Sequence, residues 1–240
     1  MIEKWEKDIK ASFKGWDFSY IHGRLTEARP PWNYMELAEG FIRESKSVLD
    51  QATGGGEVFS TFAPFPGKAV AIEGYKPNVP VARKRLKKVG VNVLYADESK
   101  KLPFKDEEFD LVLNRHGAMN AKEISRVLSK GGIFLTQQVE GRNLEDLKNF
   151  FNAKLKYKSN TLEKRRKELV DAGFKIKKTI SWEGKIVFKD VGALIYFLKA
   201  IPWIVEGFSV KKHIDYLKRL DKMKKIQFTN RRFLIIAEKK

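Results

Sequence analysis

One sequence feature limits the folds that this chain can adopt. It is a short apolar segment that ends in a carboxylate and leads directly into a glycine-rich loop. Residues 47–50 read Ser-Val-Leu-Asp, and Gly54, Gly55 and Gly56 follow. Glycine lets the backbone turn tightly and approach a ligand closely. The pattern predicts a buried strand whose carboxyl end carries a ligand-binding loop.

Apolar strands alternate with helical segments from residue 46 onward. The predicted strands are 47–50, 68–73, 91–96, 109–114, 133–139, 174–180 and 232–237. The predicted helices are 79–88, 121–129, 144–151 and 161–172, with Gly131 at the C-terminal end of the second. This alternation is typical of an α/β fold with a doubly wound, mostly parallel sheet. Such sheets bind ligands at the carboxyl ends of their strands.

The glycine loop matches neither of two common phosphate-binding patterns. A dinucleotide fingerprint needs a third glycine three residues after the second, and that position is Phe59. No Gly-Lys-Ser/Thr follows, so the loop is not a P-loop. The chain has no cysteine, and its histidines, His22, His116 and His213, form no pair at metal-ligand spacing. We therefore expect neither a metal site nor a cysteine nucleophile.

Acidic residues also end the next two predicted strands. Glu73 closes the segment 68–73, and a carboxylate there can accept hydrogen bonds from both hydroxyls of a ribose. Asp97 follows the segment 91–96, where it suits an acceptor for an adenine amino group. These two acids strengthen the interpretation of the glycine loop as a ligand site. The alternatives are that Glu73 is only an exposed strand end and that Asp97 only caps a turn with Ser99.

Five elements, taken in order, resemble the class I S-adenosylmethionine-dependent methyltransferases, in particular their type 11 group. They are Val48-Leu-Asp50-x-Ala52-x-Gly54-x-Gly56, Glu73, Asp97, the run from Leu102-Pro-Phe104 to Phe109-Asp110, and Arg126-Val-Leu-Ser-Lys-Gly131-Gly132. The resemblance covers residues 45–140 well and the last strands more loosely. A closer likeness, over residues 53–57, 73–80 and 114–116, is to an uncharacterised subgroup. The family usually has glycine where this chain has Ala52.

The resemblance implies a Rossmann-like, seven-stranded sheet, S-adenosylmethionine as cofactor and S-adenosylhomocysteine as product. By that likeness the loop of Gly54 and Gly56 passes under the methionine part, and Asp50 lies near its amino group. Glu73 holds the ribose, and Tyr75 covers the adenine. The implied cofactor-binding residues are Asp50, Gln51, Ala52, Thr53, Gly54, Gly56, Glu73, Gly74, Tyr75, Asp97, Glu98 and Asn114, with Asp97 and the Glu98 backbone at the adenine edge.

Catalytic candidates follow the fourth predicted strand. Methyl transfer from a sulfonium is an in-line displacement, so much of the catalysis comes from holding the acceptor in line with the methyl group. His116 is a candidate general base with a pKa suited to neutral pH, and Arg115 is a candidate clamp for an anionic acceptor. Alternatively, both only hydrogen-bond neighbouring loops. The Asn/Asp-Pro-Pro-Tyr/Phe motif of amino-directed nucleic-acid methyltransferases is absent.

An aromatic-rich segment precedes the first predicted strand. We interpret residues 1–45 as helical pieces, broken by the prolines at 30 and 31, that form a lid over the acceptor. The alternative is simple packing of these helices on the sheet. The insert 190–203 is apolar at helical spacing and either closes the acceptor pocket or belongs to the core. The candidate acceptor-pocket residues are Trp16, Tyr20, Arg24, Trp32 and Tyr34.

Two glutamines, Gln137 and Gln138, end the fifth predicted strand. Neighbouring residues of a strand point to opposite faces of the sheet. We therefore expect at most one of them to face the site.

Positive charge is concentrated late in the chain. Residues 1–150 hold 24 Lys+Arg against 21 Asp+Glu, whereas residues 151–240 hold 24 against 9. Helices predicted over 154–167 and 211–225 would carry part of this charge on a solvated face. The excess is either a lysine-rich surface or a footprint for a polyanion. The start of the chain lacks the pattern of a signal peptide, and no apolar stretch is long enough for a membrane span, so we expect a cytoplasmic protein.

Together these features predict one methyltransferase domain over residues 1–240. It comprises a lid (1–45), a cofactor-binding half (46–140) and a basic acceptor-side half (141–240). We expect a small-molecule acceptor, because the lid and the late insert look like elements that close a pocket. The alternatives are an RNA acceptor bound by the basic part and a non-catalytic binding protein with the same fold.

Overall fold

Eight strands and eight α-helices occur in the part of the chain that the computed structural model describes, residues 3–13 and 17–240. The strands are β1 (Leu25–Glu27), β2 (Ser47–Gln51), β3 (Lys68–Glu73), β4 (Asn92–Tyr95), β5 (Phe109–Arg115), β6 (Leu128–Val139), β7 (Phe174–Phe188) and β8 (Ile226–Lys239). The helices are α1 (Glu6–Lys10), α2 (Tyr34–Glu44), α3 (Val79–Leu86), α4 (Ala121–Val127), α5 (Glu145–Phe150), α6 (Leu162–Asp171), α7 (Val191–Ala200) and α8 (Ile214–Asp221).

The chain divides into two compact units, each built from three segments. The sheet unit comprises Trp32–Glu140, Asn160–Ser181 and Arg232–Lys240. The helical unit comprises Met1–Pro31, Gly141–Ser159 and Trp182–Arg231. Strands β7 and β8 each contribute residues to both units. The basic residues of the late part of the chain are therefore divided between the units.

The strand order, β1-β7-β8-β6-β5-β2-β3-β4, confirms the α/β prediction. The pairs β2–β3, β2–β5, β3–β4 and β5–β6 are parallel, whereas β6–β8 and β1–β7 are antiparallel. The described sheet has eight strands rather than the expected seven because Leu25–Glu27 pairs with the end of β7. Residues 25–27 therefore form a strand within a segment that the sequence predicted to be helical.

Alternating side chains give the sheet unit an apolar layer on each face of its strands. On one face Leu49 of β2 packs in a cluster with Ile124 of α4 and Leu169 of α6. On the other face Val48 packs in a cluster that includes Ile42 of α2. Because the central strands are buried on both sides, they are nearly continuous apolar runs up to their polar carboxyl ends.

The helical unit has its own apolar core, in which α7 is the central element. Nine of the ten residues of α7 are buried, and only Lys199 is exposed. Lys199 Nζ donates to the backbone carbonyls of Asp8, Ile9 and Ala11 near the end of α1. The late insert is therefore core of this unit. No helix among the described residues is both long and apolar enough to cross a bilayer.

Several predicted boundaries shift in the structure. The helix predicted over 121–129 ends at Val127, because Leu128 already pairs with Phe109 in the sheet. Leu111 pairs next with Ile133, so residues 129–132 bulge out, and Gly131 supplies the positive φ of +74° within β6. The basic helices are shorter than predicted, since only 162–171 and 214–221 are helical. The two late strands are longer than predicted.

Candidate functional site

Parallel strands bring the predicted cofactor residues to one edge of the sheet unit. β2, β3, β4 and β5 pair in register, so their carboxyl ends lie side by side. The predicted residues at or just after these ends are Asp50, Gln51, Ala52, Thr53, Gly54, Gly56, Glu73, Gly74, Tyr75, Asp97, Glu98, Asn114, Arg115 and His116. The acids and the glycine loop, which belong to one predicted motif, are therefore also neighbours in space.

The loop after β2 needs left-handed backbone at three positions. The φ angles are +55° at Ala52, +64° at Gly54 and +78° at Gly56. A residue with a Cβ pays about 1 to 2 kcal/mol in that region, which accounts for a family preference for glycine at the first position. The Ala52 methyl has room because residue 117 is glycine: a Cβ on Gly117 would lie 2.5 Å from the Ala52 Cβ.

This steric pairing gives a test of the loop geometry. Replacing Gly117 by alanine is expected to lower the free energy of unfolding by about 1 to 3 kcal/mol, because the new methyl overlaps that of Ala52. The double variant Ala52→Gly, Gly117→Ala is expected to recover most of the loss, since the next atom, Asn114 Oδ1, is 3.2 Å away. Urea unfolding measures both values.

The control for these two variants is Gly40→Ala. The Cβ that it adds has no neighbouring atom within 4 Å. Gly40 lies on the exposed side of α2, where alanine favours the helix by about 1 kcal/mol. Equal losses in the single Gly117→Ala variant and in the double variant would contradict the steric account.

Glu73 ties the glycine loop to the end of β3. Its buried carboxylate accepts from the Gly54 amide at 2.6 Å through Oε2 and from the Tyr75 amide at 2.7 Å through Oε1. Burial raises the pKa of Glu73, and the two amide hydrogen bonds oppose that rise. Each oxygen keeps a further lone pair. The carboxylate can therefore hold the loop and still accept two more hydrogen bonds.

Buried polar groups surround the carboxyl end of β2. Burial raises the pKa of Asp50 to about 7; the charge of Glu73 adds to the rise, and the Thr53 hydroxyl and Arg115 oppose it. Two nearby atoms, Tyr34 Oη and Gln51 Nε2, are buried with no hydrogen-bond partner among the described residues. A buried polar group without a partner costs about 1 to 3 kcal/mol. This end of the strand is therefore suited to a polar ligand.

The loop after β4 is held by its own side chains. Asp97 Oδ1 accepts from the hydroxyl and the amide of Ser99 at 2.6 and 2.9 Å, which lowers the pKa of Asp97. Glu98 Oε1 accepts from the Ala118 amide at 3.1 Å and so links this loop to the one after β5. The Tyr75 side chain is 63% exposed. Its ring is therefore open to a flat ligand rather than packed in the core.

Asn114 organises a buried network on one face of the sheet. Its Nδ2 donates to Gln51 Oε1 at 3.1 Å and to the Ala118 carbonyl at 2.7 Å. Its Oδ1 accepts from Gln138 Nε2 at 2.9 Å and from the Gly117 amide at 3.1 Å. These bonds fix the turn that follows β5.

A second set of contacts lies on the opposite face. Trp32 Nε1 donates to Gln137 Oε1 at 2.7 Å, and Gln137 Nε2 lies 2.9 Å from His116 Nε2. The Arg115 guanidinium lies over the ring of Tyr34, 5.8 Å from its centroid. The structure thus links Trp32 to His116 through Gln137 and places Tyr34 against Arg115.

The surroundings of His116 differ from the expectation for a neutral-pH base. Surrounding protein lowers the pKa of His116 well below its ordinary value of 6.5, and the charges of Arg232 and Arg115 lower it further. The residue is nevertheless solvent-exposed, and the lowered pKa favours the neutral form of its ring. A role for His116 as a general base stays a prediction.

The two glutamines contact different predicted site residues. Gln137 and Gln138 point to opposite faces, as alternation requires. Gln137 Nε2 lies 2.9 Å from His116 Nε2, and Gln138 Nε2 donates to Asn114 Oδ1. The expectation that at most one of them faces the site stays a prediction.

Comparison with known proteins agrees with this geometry. Residues 49–136, all in the sheet unit, match the model of a family described as methyltransferase domain. Residues 49–136 therefore resemble a methyltransferase domain. Over 102 residues the chain is 30% identical to the uncharacterised methyltransferase YcgJ of Bacillus subtilis, a match that covers 39% of this chain and 40% of that relative.

Solved structures share the fold of this chain. A Bacillus halodurans protein, provisionally named a methyltransferase, matches with a TM-score of 0.64 at 22% identity, over 86% of this chain and 98% of that one. The YcgJ structure matches with 0.60 at 17% identity, over the same shares of 86% and 98%. A geranyl diphosphate methyltransferase solved with S-adenosylmethionine matches with 0.53 at 12% identity, over 86% and 84%. At these identities the likeness shows the fold alone.

The remaining acceptor-pocket predictions, Trp16, Tyr20 and Arg24, lie outside residues 49–136. Trp16 is outside the described residues. Tyr20 and Arg24 belong to the helical unit, where Arg24 Nη1 donates to Asp8 at 2.8 Å and Arg24 Nη2 donates to Asp190 at 2.6 Å. Tyr20 Oη donates to the same Asp8 carboxylate at 3.2 Å. A role for these two residues at the acceptor remains a prediction.

Sequence reasoning missed the roles of two positions in the candidate site. Gly117 was not singled out, although glycine beside a crowded loop is a recognisable signal of close approach. Gln137 was noted, but its partners were not. An indole N–H in a sequence indicates that a buried acceptor is needed, yet it does not indicate which residue supplies it.

Proposed function

We propose that the chain is an S-adenosylmethionine-dependent methyltransferase that acts on a small molecule. The observation that carries the proposal is the common edge of β2, β3 and β4, where Asp50, Glu73 and Asp97 follow three neighbouring strands beside the glycine loop. The match of residues 49–136 to the methyltransferase domain family supports the same conclusion.

The residues at this edge fit the cofactor. Asp50, a buried carboxyl with a raised pKa, gains a favourable partner when an ammonium group binds beside it. Glu73 has a spare lone pair on each oxygen for the two ribose hydroxyls. The exposed ring of Tyr75 can stack on the adenine. The unpartnered Gln51 Nε2 and Tyr34 Oη offer a donor and a hydroxyl to the methionine part.

When bound, S-adenosylmethionine supplies a methyl group on a positively charged sulfur. What the chain contributes is orientation and exclusion of water. Glu73 and the glycine loop fix the nucleoside end, and the Asn114 network fixes the loop after β5. Trp32 and Tyr34 supply an aromatic wall next to Arg115 and His116. A small acceptor held there approaches the methyl group in line.

The test is transfer of a radiolabelled methyl group. The protein is incubated with methyl-labelled S-adenosylmethionine and either a pool of small metabolites or total RNA. We expect label in the small-molecule fraction, with S-adenosylhomocysteine formed in equal amount, and no transfer by a Glu73→Ala variant. Label in RNA alone would overturn the small-molecule part of the proposal. No transfer to either pool, with no binding of S-adenosylhomocysteine, would overturn the whole proposal.

A further inference from the structure

The chain of hydrogen bonds from Trp32 to His116 has a fixed direction. An indole N–H can only donate, so the oxygen of the Gln137 amide must face Trp32, as observed at 2.7 Å. The amide NH₂ of Gln137 therefore faces His116 Nε2, 2.9 Å away, and donates to it. His116 Nε2 is then an acceptor and carries no proton.

This direction fixes the tautomer of His116. A neutral imidazole with a bare Nε2 carries its single proton on Nδ1. Protonation of Nε2 would set two donors, Nε2–H and the Gln137 NH₂, against each other. The nearby cations Arg115 and Arg232 also disfavour a charged ring. His116 thus offers a hydrogen-bond donor, Nδ1–H, and its only basic nitrogen is already occupied.

Two arginines act on His116. The charges of Arg115 and Arg232 both lower its pKa. Arg115 is solvent-exposed and makes no ion pair among the residues that the structure describes, and its guanidinium lies over the ring of Tyr34. Arg115 also lowers the pKa of the Asp50 carboxyl, which burial raises to about 7.

We infer that this edge of the sheet binds an anionic acceptor, a small molecule with a carboxylate or phosphate group held by Arg115 and by His116 Nδ1–H. Gln137 is the positioning residue: it keeps the bare nitrogen of His116 occupied and holds Trp32 beside it. The acceptor role rests on the proposed function, whereas the tautomer and the anion site are properties of the protein alone.

The tautomer is tested on the protein without ligand. Long-range ¹H–¹⁵N spectra distinguish Nδ1–H from Nε2–H histidines, with His22 and His213 as internal references. We expect His116 to show the Nδ1–H pattern and to stay neutral at pH 6. In Gln137→Glu the new carboxylate accepts from both Trp32 and His116, so we expect the proton to move to Nε2 and the pKa of His116 to rise by about one unit or more.

Two further variants keep this test falsifiable. Gln227→Glu makes the same change of charge at an exposed position of β8 and is expected to leave His116 unchanged. Gln137→Leu removes these hydrogen bonds without adding charge. In this variant we expect His116 to lose its preference for one tautomer. An Nε2–H signal in the wild type, or no response of His116 to Gln137→Glu, would overturn the assignment of Gln137.

The anion site is tested with acetate, benzoate and inorganic phosphate at matched ionic strength, each with and without S-adenosylhomocysteine. We expect at least one of them to shift the Trp32 indole and His116 signals saturably. We expect Arg115→Met to weaken that binding by about tenfold or more, and Arg43→Met, an exposed arginine of α2, to leave it unchanged. No saturable shift with any of these anions would overturn the inference.

A different result separates the acceptor from the cofactor. If Arg115 instead binds the carboxylate of the cofactor, Arg115→Met will weaken S-adenosylhomocysteine but not methylthioadenosine, which lacks that group, and the inference is overturned. If S-adenosylhomocysteine does not bind at all, the proposed function fails. The tautomer and the anion titration still decide the inference in that case.

Discussion

Replacing Glu73 by alanine is expected to weaken binding of S-adenosylhomocysteine by about a hundredfold or more, which corresponds to about 2.7 kcal/mol. Two effects combine. The variant removes a charged acceptor for the two ribose hydroxyls, and hydrogen bonds to a charged group contribute about 1.5 to 3 kcal/mol each. It also leaves the amides of Gly54 and Tyr75 without their acceptor, so the glycine loop loses its anchor.

Calorimetric titration measures this change, and circular dichroism shows whether the variant is folded. Glu44→Ala removes an exposed carboxylate at the end of α2 and is the matched control, with an unchanged dissociation constant expected. Glu73→Gln keeps the size of the side chain but can accept from only one of the two amides, so an intermediate loss is expected. A folded Glu73→Ala protein that binds S-adenosylhomocysteine as the wild type does would contradict the role of Glu73.

Replacing Asp50 by asparagine is expected to make the ligand-free protein more stable and the cofactor complex weaker. Burial raises the pKa of Asp50 from 3.8 to about 7, so the folded protein disfavours the ionised form. The contribution of Asp50 to the free energy of unfolding is therefore most favourable below pH 3.8, and it falls as the pH rises towards 7. Above pH 7 the cost is constant, and Asp50→Asn is expected to recover about 2 to 4 kcal/mol of it at pH 8.

The affinity for S-adenosylhomocysteine is expected to change with pH in the opposite direction to the stability. The ionised Asp50 carboxylate is the form that pairs with the ammonium group, so wild-type affinity for S-adenosylhomocysteine is expected to fall as the pH drops below about 7. The limit is about tenfold per pH unit. Asp50→Asn is expected to bind about tenfold more weakly at pH 8 and to lack this pH dependence. Urea unfolding over pH 5 to 8 tests the expected gain in stability, and calorimetry over the same range tests the expected loss of affinity. A less stable variant with unchanged affinity would contradict the account.

The common edge of β2, β3 and β4 could be predicted from the sequence because its signals are local. Each predicted acid lies at the end of its own apolar segment, and parallel pairing brings such ends together whatever the loops between them do. Gly54 and Gly56 take positive φ angles, which is the property that a glycine in a tight loop indicates. These inferences required only the strand pattern and the chirality of the backbone.

The acceptor side could not be predicted in the same way. Trp32, His116 and Gln137 meet across a separation of about a hundred residues in sequence, and their hydrogen bonds depend on the register of β5 with β6. The lid prediction failed in part for a related reason. Residues 25–27 are too short for a periodicity signal, and they become a strand only because the end of β7 offers an edge to pair with.

The most direct test of the account is titration of S-adenosylhomocysteine into the wild-type protein by calorimetry, with a thermal-shift measurement on the same sample. The account predicts one site per chain with micromolar affinity and a raised unfolding temperature, because a ligand that binds only the folded state stabilises it. Absence of heat together with an unchanged unfolding temperature would contradict it.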